Sequence, residues 1–305
     1  MSSTNNKSIL VIGDAYVETQ YFVSTIPSAN QFEIATNAQT VYGSKTINSS
    51  RIFARLRDKT TFFTNVGDDL DGVNVVQAIS DWGIFAHIEK ITGSKTGKIS
   101  VITNQNGESS ITLYPGANAT ITPKVISTLK EKILLSDAIY TGTHLPLEAL
   151  YCLADICHEN GKILFVDVPN QHSQLDLSKL SDLNFFVPNR QEAELLTTTK
   201  IISVQDAFAA ILLLRKYIKG LIIITLDKEG CVFLNVDSNK PKHIPTIPLK
   251  AVDETGAGDI FRAILLHHIL KSEPIETAIQ KALVTATESV KIKGVDNTLQ
   301  NLNLE

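Results

Sequence analysis

The stretch of this 305-residue chain richest in possible chemistry is Ala251 to Ala263, AVDETGAGDIFRA, which opens an apolar helical pattern running to about Lys271 before Pro274. Gly256-Ala257-Gly258 lets the backbone come close to a ligand, and the first turn of a helix leaves several amide N–H groups without internal partners. Such amides make an anion site. Asp259, in that first turn, stands beside whatever negative charge the amides attract. It is equally a residue that caps helices. On spacing alone both readings stand, because a short glycine-rich turn is a weak signal.

A second cluster, Pro188-Asn189-Arg190-Gln191-Glu192, follows an apolar run and reads as a helix start capped by Asn189 with a favourable acidic first turn. No GxxxxGK[ST] segment occurs, which excludes P-loop phosphate binding. Cys152, Cys157 and Cys231 are too few and too scattered for a disulfide framework or a CxxC metal site. The lone Trp82 and the histidines have no spacing that implies a metal or a triad. A formal net charge of −4 with dispersed basic residues argues against nucleic acid as a partner.

These candidates need a scaffold, and the sequence describes one. Apolar content of 43% with 20% charged residues is that of a soluble globular protein. The polar leader Met1 to Lys7 lacks the pattern of a signal peptide, and no apolar run is long enough to span a bilayer, so no membrane association and a cytoplasmic location are expected. Short apolar runs at Ser8 to Ile12, Thr61 to Asn65, Ala138 to Thr141, Ile163 to Val166, Phe185 to Val187 and Leu221 to Thr225 read as buried strands. Helical patterns at Leu147 to Glu159, Arg190 to Leu196 and Val204 to Tyr217 lie among them. The alternation predicts one domain over residues 1–305, a three-layer α/β/α sandwich on a mostly parallel central sheet. Thr19 to Tyr42 and Lys98 to Tyr114 break the rhythm with alternating apolar and polar residues, and Asn106-Gly107 favours a type I′ hairpin turn. They are expected to form a small β lid of the kind that excludes water from an active site.

DETGAGD resembles the D-T-x-(G/A)-A-G-D signature of the ribokinase-like, or PfkB-type, carbohydrate kinases, with Glu254 as a variant at the second position. Further segments fall in that family's order: Leu10 to Glu18, Tyr42 to Asn48, Val66 to Gly72, Asn106 to Thr122, Pro188 to Glu194 and Thr225 to Gly230. The resemblance implies an ATP-dependent kinase in which Asp259 is the general base and the amides of Gly256, Ala257 and Gly258 hold the transferring phosphoryl group. Phosphoryl transfer needs alignment and charge neutralisation more than covalent chemistry, which suits these parts. It further implies that Asn189 lies near the triphosphate and that Glu192 positions magnesium. Thr225, Asp227 and Gly230 would belong to the nucleotide loop, with Asp227 where the family has glycine. Asp253, Thr255 and Gly294 match the region that binds potassium in many members, and family likeness implies a homodimer through the lid.

The substrate side departs from ribokinases proper. Their N-x-D after the first strand is Tyr16 and Glu18 here, preceded by Asp14. Their G-G-K-G-x-N loop is Gly43-Ser44-Lys45-Thr46-Ile47-Asn48, and a central glutamate becomes His144. Asp14, Tyr16, Glu18, Gly43, Ser44, Lys45, Asn48 and His144 are therefore the substrate-binding candidates, and the expected substrate is a sugar or a closely related molecule rather than ribose itself. Lys45, Asn48 and Arg51 also resemble a G-K-x-x-N-x-x-R pattern of phosphosugar kinases, although an isolated arginine on a helix is ordinarily solvated. Rival readings are a nucleoside kinase, with Tyr16 as one wall of a base pocket, and a non-catalytic sugar or nucleotide sensor.

Overall fold

The structure, a computed structural model, describes residues 7–142, 144–168, 175–247 and 249–304; Met1 to Asn6 of the polar leader lie outside them. The strands in chain order are β1 (Ser8–Ile12), β2 (Tyr16–Phe22), β3 (Asn37–Gly43), β4 (Lys59–Gly67), β5 (Ala86–Ile91), β6 (Gly97–Thr103), β7 (Ser109–Tyr114), β8 (Ala138–Thr141), β9 (Ile163–Val166), β10 (Phe185–Phe186), β11 (Leu221–Thr225), β12 (Cys231–Leu234) and β13 (Lys242–Ile244). The α-helices are α1 (Lys45–Arg55), α2 (Leu70–Asp81), α3 (Pro123–Thr128), α4 (Lys130–Leu135), α5 (Leu147–Glu159), α6 (Arg190–Thr197), α7 (Val204–Leu214), α8 (Ala257–Leu270), α9 (Ile275–Ser289) and α10 (Val295–Asn301).

Among the described residues, nine strands form one sheet in the order β13-β12-β11-β10-β9-β8-β1-β4-β5. Only the pairs made by β12 are antiparallel. The central strands are apolar at successive positions because helices cover both of their faces. Leu10, Ile12, Leu164 and Ile222 point into the core beneath α3 to α7, and Ile9, Val11, Phe165 and Ile223 into the core beneath α1, α2 and α8 to α10. Burial alternates residue by residue between the two cores, as the pleat demands. The expected sandwich is therefore present. Sequence periodicity did not reveal β5, β12 and β13, the strands toward the two sheet edges.

A second sheet, β3-β2-β6-β7, collects the two segments expected as a lid. Its strands begin three residues earlier than Thr19, at Tyr16, and one earlier than Lys98, at Gly97. The register sets Val41, Ile99, Val101, Ile111 and Leu113 on the same face as Tyr16 and Glu18. The β6–β7 connection is a hairpin but not of type I′, which needs φ > 0 at both central residues. Gly107 has φ 83° and Asn106 is not in the left-handed region. The Asn104 carboxamide takes over, its Oδ1 accepting from the amides of Asn106 and Glu108.

Candidate active site

Because the central strands are parallel, their C-terminal ends share one edge, and the chain leaves that edge at each candidate position. Asp14 follows β1, His144 follows β8, Asp167 follows β9, Asn189 follows β10, and Thr225 ends β11. Helix α8 starts over the same edge. Its N-cap, Gly256, has φ 82°, a conformation costly for any side chain bearing a Cβ. Asp259 lies in the first turn, is buried, and accepts a hydrogen bond from Asn48 Nδ2 at 2.9 Å. Burial first, then the Asp167 carboxylate, push its carboxyl up to about 6, against the pull of Lys45, Asn48 and Arg262. The Ala257 amide, expected at an anion, is instead spent on the Glu254 carbonyl at 3.2 Å because the glycine turn folds back on itself. A buried carboxylate that ionises near neutrality, beside the remaining amides of a helix start, is suited to taking a proton from a hydroxyl while an anion sits on those amides.

Two further residues belong to this site and were not singled out in the sequence. Asp167 and Arg262 are both buried, with Arg262 Nη2 3.1 Å from Asp167 Oδ1 and 3.4 Å from Glu192 Oε2. Asp167 stands alone after a run of apolar residues, with no spacing to mark it. Arg262 was detectable, being a charge inside the otherwise apolar α8 sequence IFRAILL. Lys45, expected at the substrate, instead turns its ammonium to Asp167 at 3.6 Å and Glu192 at 3.8 Å. As the first residue of α1 it reaches across the helix start toward these carboxylates, which attract it.

The helix-cap reading of the Asn189 cluster also holds: Asn189 Oδ1 accepts from the Glu192 amide at 2.9 Å and Glu192 Oε2 from the Asn189 amide at 2.7 Å. The other Glu192 oxygen, Oε1, and both oxygens of Asp167 are buried without hydrogen-bond geometry to any partner. Burial raises the Glu192 carboxyl although Arg262 opposes it. Orphaned carboxylate oxygens in one place fit a magnesium ion, which takes one or two carboxylates and completes its shell with water and phosphate oxygens. No group of three or more metal-binding side chains occurs among the described residues, so a cage made by the protein alone is not present.

On the nucleotide side, Thr225 bridges to Asn189, and Asp227 sits at φ 52° with its side chain 66% exposed and 3.6 Å from Arg190 Nε. The outward direction and the arginine together relieve the awkward charge of Asp227. Gly230 closes that turn, its amide donating to Asp227 O. Asp253 and Gly294 meet: Asp253 Oδ1 accepts from the Thr255 amide and Oδ2 from the Gly294 amide, each at 2.9 Å. Burial opposes the Asp253 charge, but these bonds outweigh it and hold the carboxyl below its usual range.

On the substrate side, Asp14 and His144 form a unit, with His144 Nδ1 2.8 Å from Asp14 Oδ2. Thr46 Oγ1 donates to Asp14 O, and the Ser44 hydroxyl donates there too while capping α1. Tyr16 stands behind His144, edge to face at 5.8 Å, with 0% exposure. It forms the floor of the mouth rather than an open wall. Burial and then Asp14 push its hydroxyl well above the usual tyrosine range. Glu18 accepts from Gln20 along β2, and Gly43 pairs with Tyr16 across the small sheet. Arg51, expected in solvent or on a substrate phosphate, is in neither place. It is 6% exposed, stacked 4.2 Å over Trp82 and bonded to Asp296 Oδ1 at 2.6 Å. Its long apolar stem and flat guanidinium make burial against an aromatic face favourable.

A buried carboxylate in the first turn of a helix, set on the C-terminal edge of a parallel sheet beside two more buried carboxylates, has the makings of a small-molecule phosphotransferase site. Residues 6–302 match the model of the pfkB family carbohydrate kinases, and the chain belongs to that family. It is 28% identical over 297 residues to a deoxyribokinase of Salmonella typhi, covering 96% of each chain. A ribokinase of Haemophilus influenzae is also 28% identical over 297 residues, covering 96% of this chain and 95% of its own. Two solved structures share the fold. The ribokinase from Giardia lamblia has a TM-score of 0.86 at 20% identity over 97% of this chain and 96% of that one. Arabidopsis thaliana ribokinase complexed with ribose and ATP has 0.82 at 22% identity over 96% and 98%.

Proposed function

We propose that this carbohydrate kinase transfers the γ-phosphoryl group of ATP to a primary hydroxyl of a free, uncharged sugar of about pentose size. The observation that carries the reading is Asp259, buried in the first turn of α8 and steered by Asn48. Its carboxylate accepts the hydroxyl proton, and the Gly256 and Gly258 amides hold the phosphoryl oxygens, joined by that of Ala257 once it leaves the Glu254 carbonyl. Asn189, Thr225, Asp227 and Gly230 line the nucleotide side, and Asp14, His144, Glu18, Gly43 and Ser44 the sugar side. Magnesium, placed by Glu192 and Asp167, neutralises phosphate charge when bound. Asp253, Thr255 and Gly294 would hold a potassium ion, which would add positive charge behind the helix start.

Engagement of Arg51 with Asp296 and Trp82 leaves the mouth without the arginine a phosphosugar would use, which favours a neutral substrate. The buried Tyr16 offers no open aromatic face to a nucleobase, which disfavours the nucleoside reading. Names of the relatives point the same way, to ribose-type and deoxyribose-type sugars. The small sheet is taken as a lid over the mouth and as a homodimer contact, its apolar face being too exposed to stand alone, with Ile111 62% exposed. A cytoplasmic enzyme is in keeping with three free cysteines, and no helix among the described residues is long and apolar enough to cross a membrane.

The test is ADP release with ATP, magnesium and potassium against deoxyribose, ribose, hexoses, phosphosugars and nucleosides. Saturable turnover of a free pentose is expected. Turnover confined to nucleosides or phosphosugars, or none with any sugar, sinks the proposal.

A further inference from the structure

Arg262 lies three residues after Asp259 on α8 and reaches back under the helix start. A Cβ on Gly258 would fall 2.9 Å from Arg262 Nη1, so the guanidinium occupies the space directly behind the anion-hole amides. Its Nε donates to the Val187 carbonyl at 3.3 Å, and its Nη2 faces both Asp167 and Glu192. Guanidinium is charged at every pH a protein survives, and here it is almost sealed from water. Two carboxylates buried side by side without such a partner would repel each other and lose their hydration without compensation.

The two cations at this pair differ in kind. Lys45 is longer-range, at 3.6 and 3.8 Å, and 37% exposed, so its flexible stem can swing to an arriving phosphate. Arg262 is enclosed by the elements that hold it. On the phosphoryl-transfer reading, we propose that Arg262 is a resident counter-cation: it positions Asp167 and Glu192 and neutralises them in the nucleotide-free protein, so that a divalent metal is held there only together with a nucleotide. The carboxylate oxygens left without hydrogen bonds then serve a metal whose remaining ligands are water and phosphate. Arg262 touches neither substrate nor metal and acts through the two carboxylates.

The experiment is a manganese titration of nucleotide-free protein, followed by the resonance signal of free Mn²⁺, for wild type, Arg262→Met and Arg262→Lys. Wild type is expected to bind weakly without nucleotide and at least about tenfold more tightly with ADP present. Arg262→Met uncovers the acidic pair and should bind manganese about tenfold or more tightly than wild type without nucleotide, as loss of one unit charge at this range implies. Arg262→Lys keeps the charge and should stay near wild type, and adding Asp167→Asn to Arg262→Met should abolish the gain. A folded Arg262→Met with unchanged manganese affinity overturns the proposal. So does a wild type that binds the metal as tightly without ADP as with it, a result that does not depend on any variant folding. Neither readout is catalysis: failure to phosphorylate sugars would sink the kinase reading and leave these titrations to judge Arg262.

Discussion

Asn48 and Asp259, 211 residues apart in sequence, meet through one 2.9 Å hydrogen bond that joins the first turns of α1 and α8. The amide orients the carboxylate and lowers its proton affinity, while burial and Asp167 raise it. The balance leaves Asp259 ionised at neutral pH yet basic enough to take a proton.

Asp259→Asn keeps the shape and the helix start but cannot accept the proton, so turnover should fall by about 10² to 10⁴-fold. Retention of more than about a tenth of wild-type turnover would contradict the base assignment. The same variant should be more stable at alkaline pH. The folded carboxyl is raised from 3.8 to about 6, so stability present below the lower value is lost as pH rises through the higher one. At pH 8 the wild type bears that whole cost, on the order of 3 kcal/mol, and Asp259→Asn does not. Melting curves at acid and alkaline pH check the sign.

The acid limb of the rate profile should follow the same group. kcat/KM is expected to rise with pH through about 6, as Asp259 loses its proton. Asn48→Leu removes a hydrogen bond that favours the ionised form, so its limb should move to higher pH. An unshifted or acid-shifted limb in that variant would break the link between Asn48 and the base.

Arg51→Ala tests the correction at α1. Loss of the Trp82 stack and of the Asp296 bond should lower stability by about 1 to 2 kcal/mol, while the Michaelis constant for a neutral sugar stays nearly unchanged. A large rise in that constant with no loss of stability would return Arg51 to the substrate mouth.

The dimer is open to a surface test. Ile111→Lys sets a charge on the apolar face of the small sheet, opposite Val101. Wild type should sediment as a dimer at micromolar concentration and the variant as a monomer. A monomeric wild type removes the dimer reading.

Much of the scaffold was legible because buried parallel strands write themselves as short apolar runs. Ser8–Ile12, Ala138–Thr141, Ile163–Val166 and Leu221–Thr225 are found with the expected bounds, as is helix Leu147–Glu159. Strand β12 was passed over although its run, Cys231–Leu234, is as long and as apolar as β8, while β13, Lys242–Ile244, is three residues with one apolar side chain and accumulates no pattern. Within the site, the glycine-rich helix start and the Asn189 cap were visible as local chemistry. Asp167 and the turn of Lys45 were not, since each is defined by partners distant in sequence; Arg262 was visible as a charge in an apolar helix, but its partners were not. Arg51 was misjudged for a related reason: its burial depends on Trp82 and on Asp296 from the far end of the chain.

The clasp between the first and last helices bears on how the molecule is made. Arg55, on α1, donates to the carbonyls of Leu299 and Leu302, which close α10. Domains gather from the N-terminus as synthesis proceeds, but here an early helix must wait for α10 before its arginines are satisfied. Nor can Asn48 find Asp259 until α8 has left the ribosome. A nascent chain therefore carries the Gly43 to Asn48 loop long before Asp259, and the fold should close abruptly once α10 has emerged rather than grow with length. Truncation within α10 would then cost the cell a whole enzyme, because it strands Arg55 beside a core that lacks its last cover.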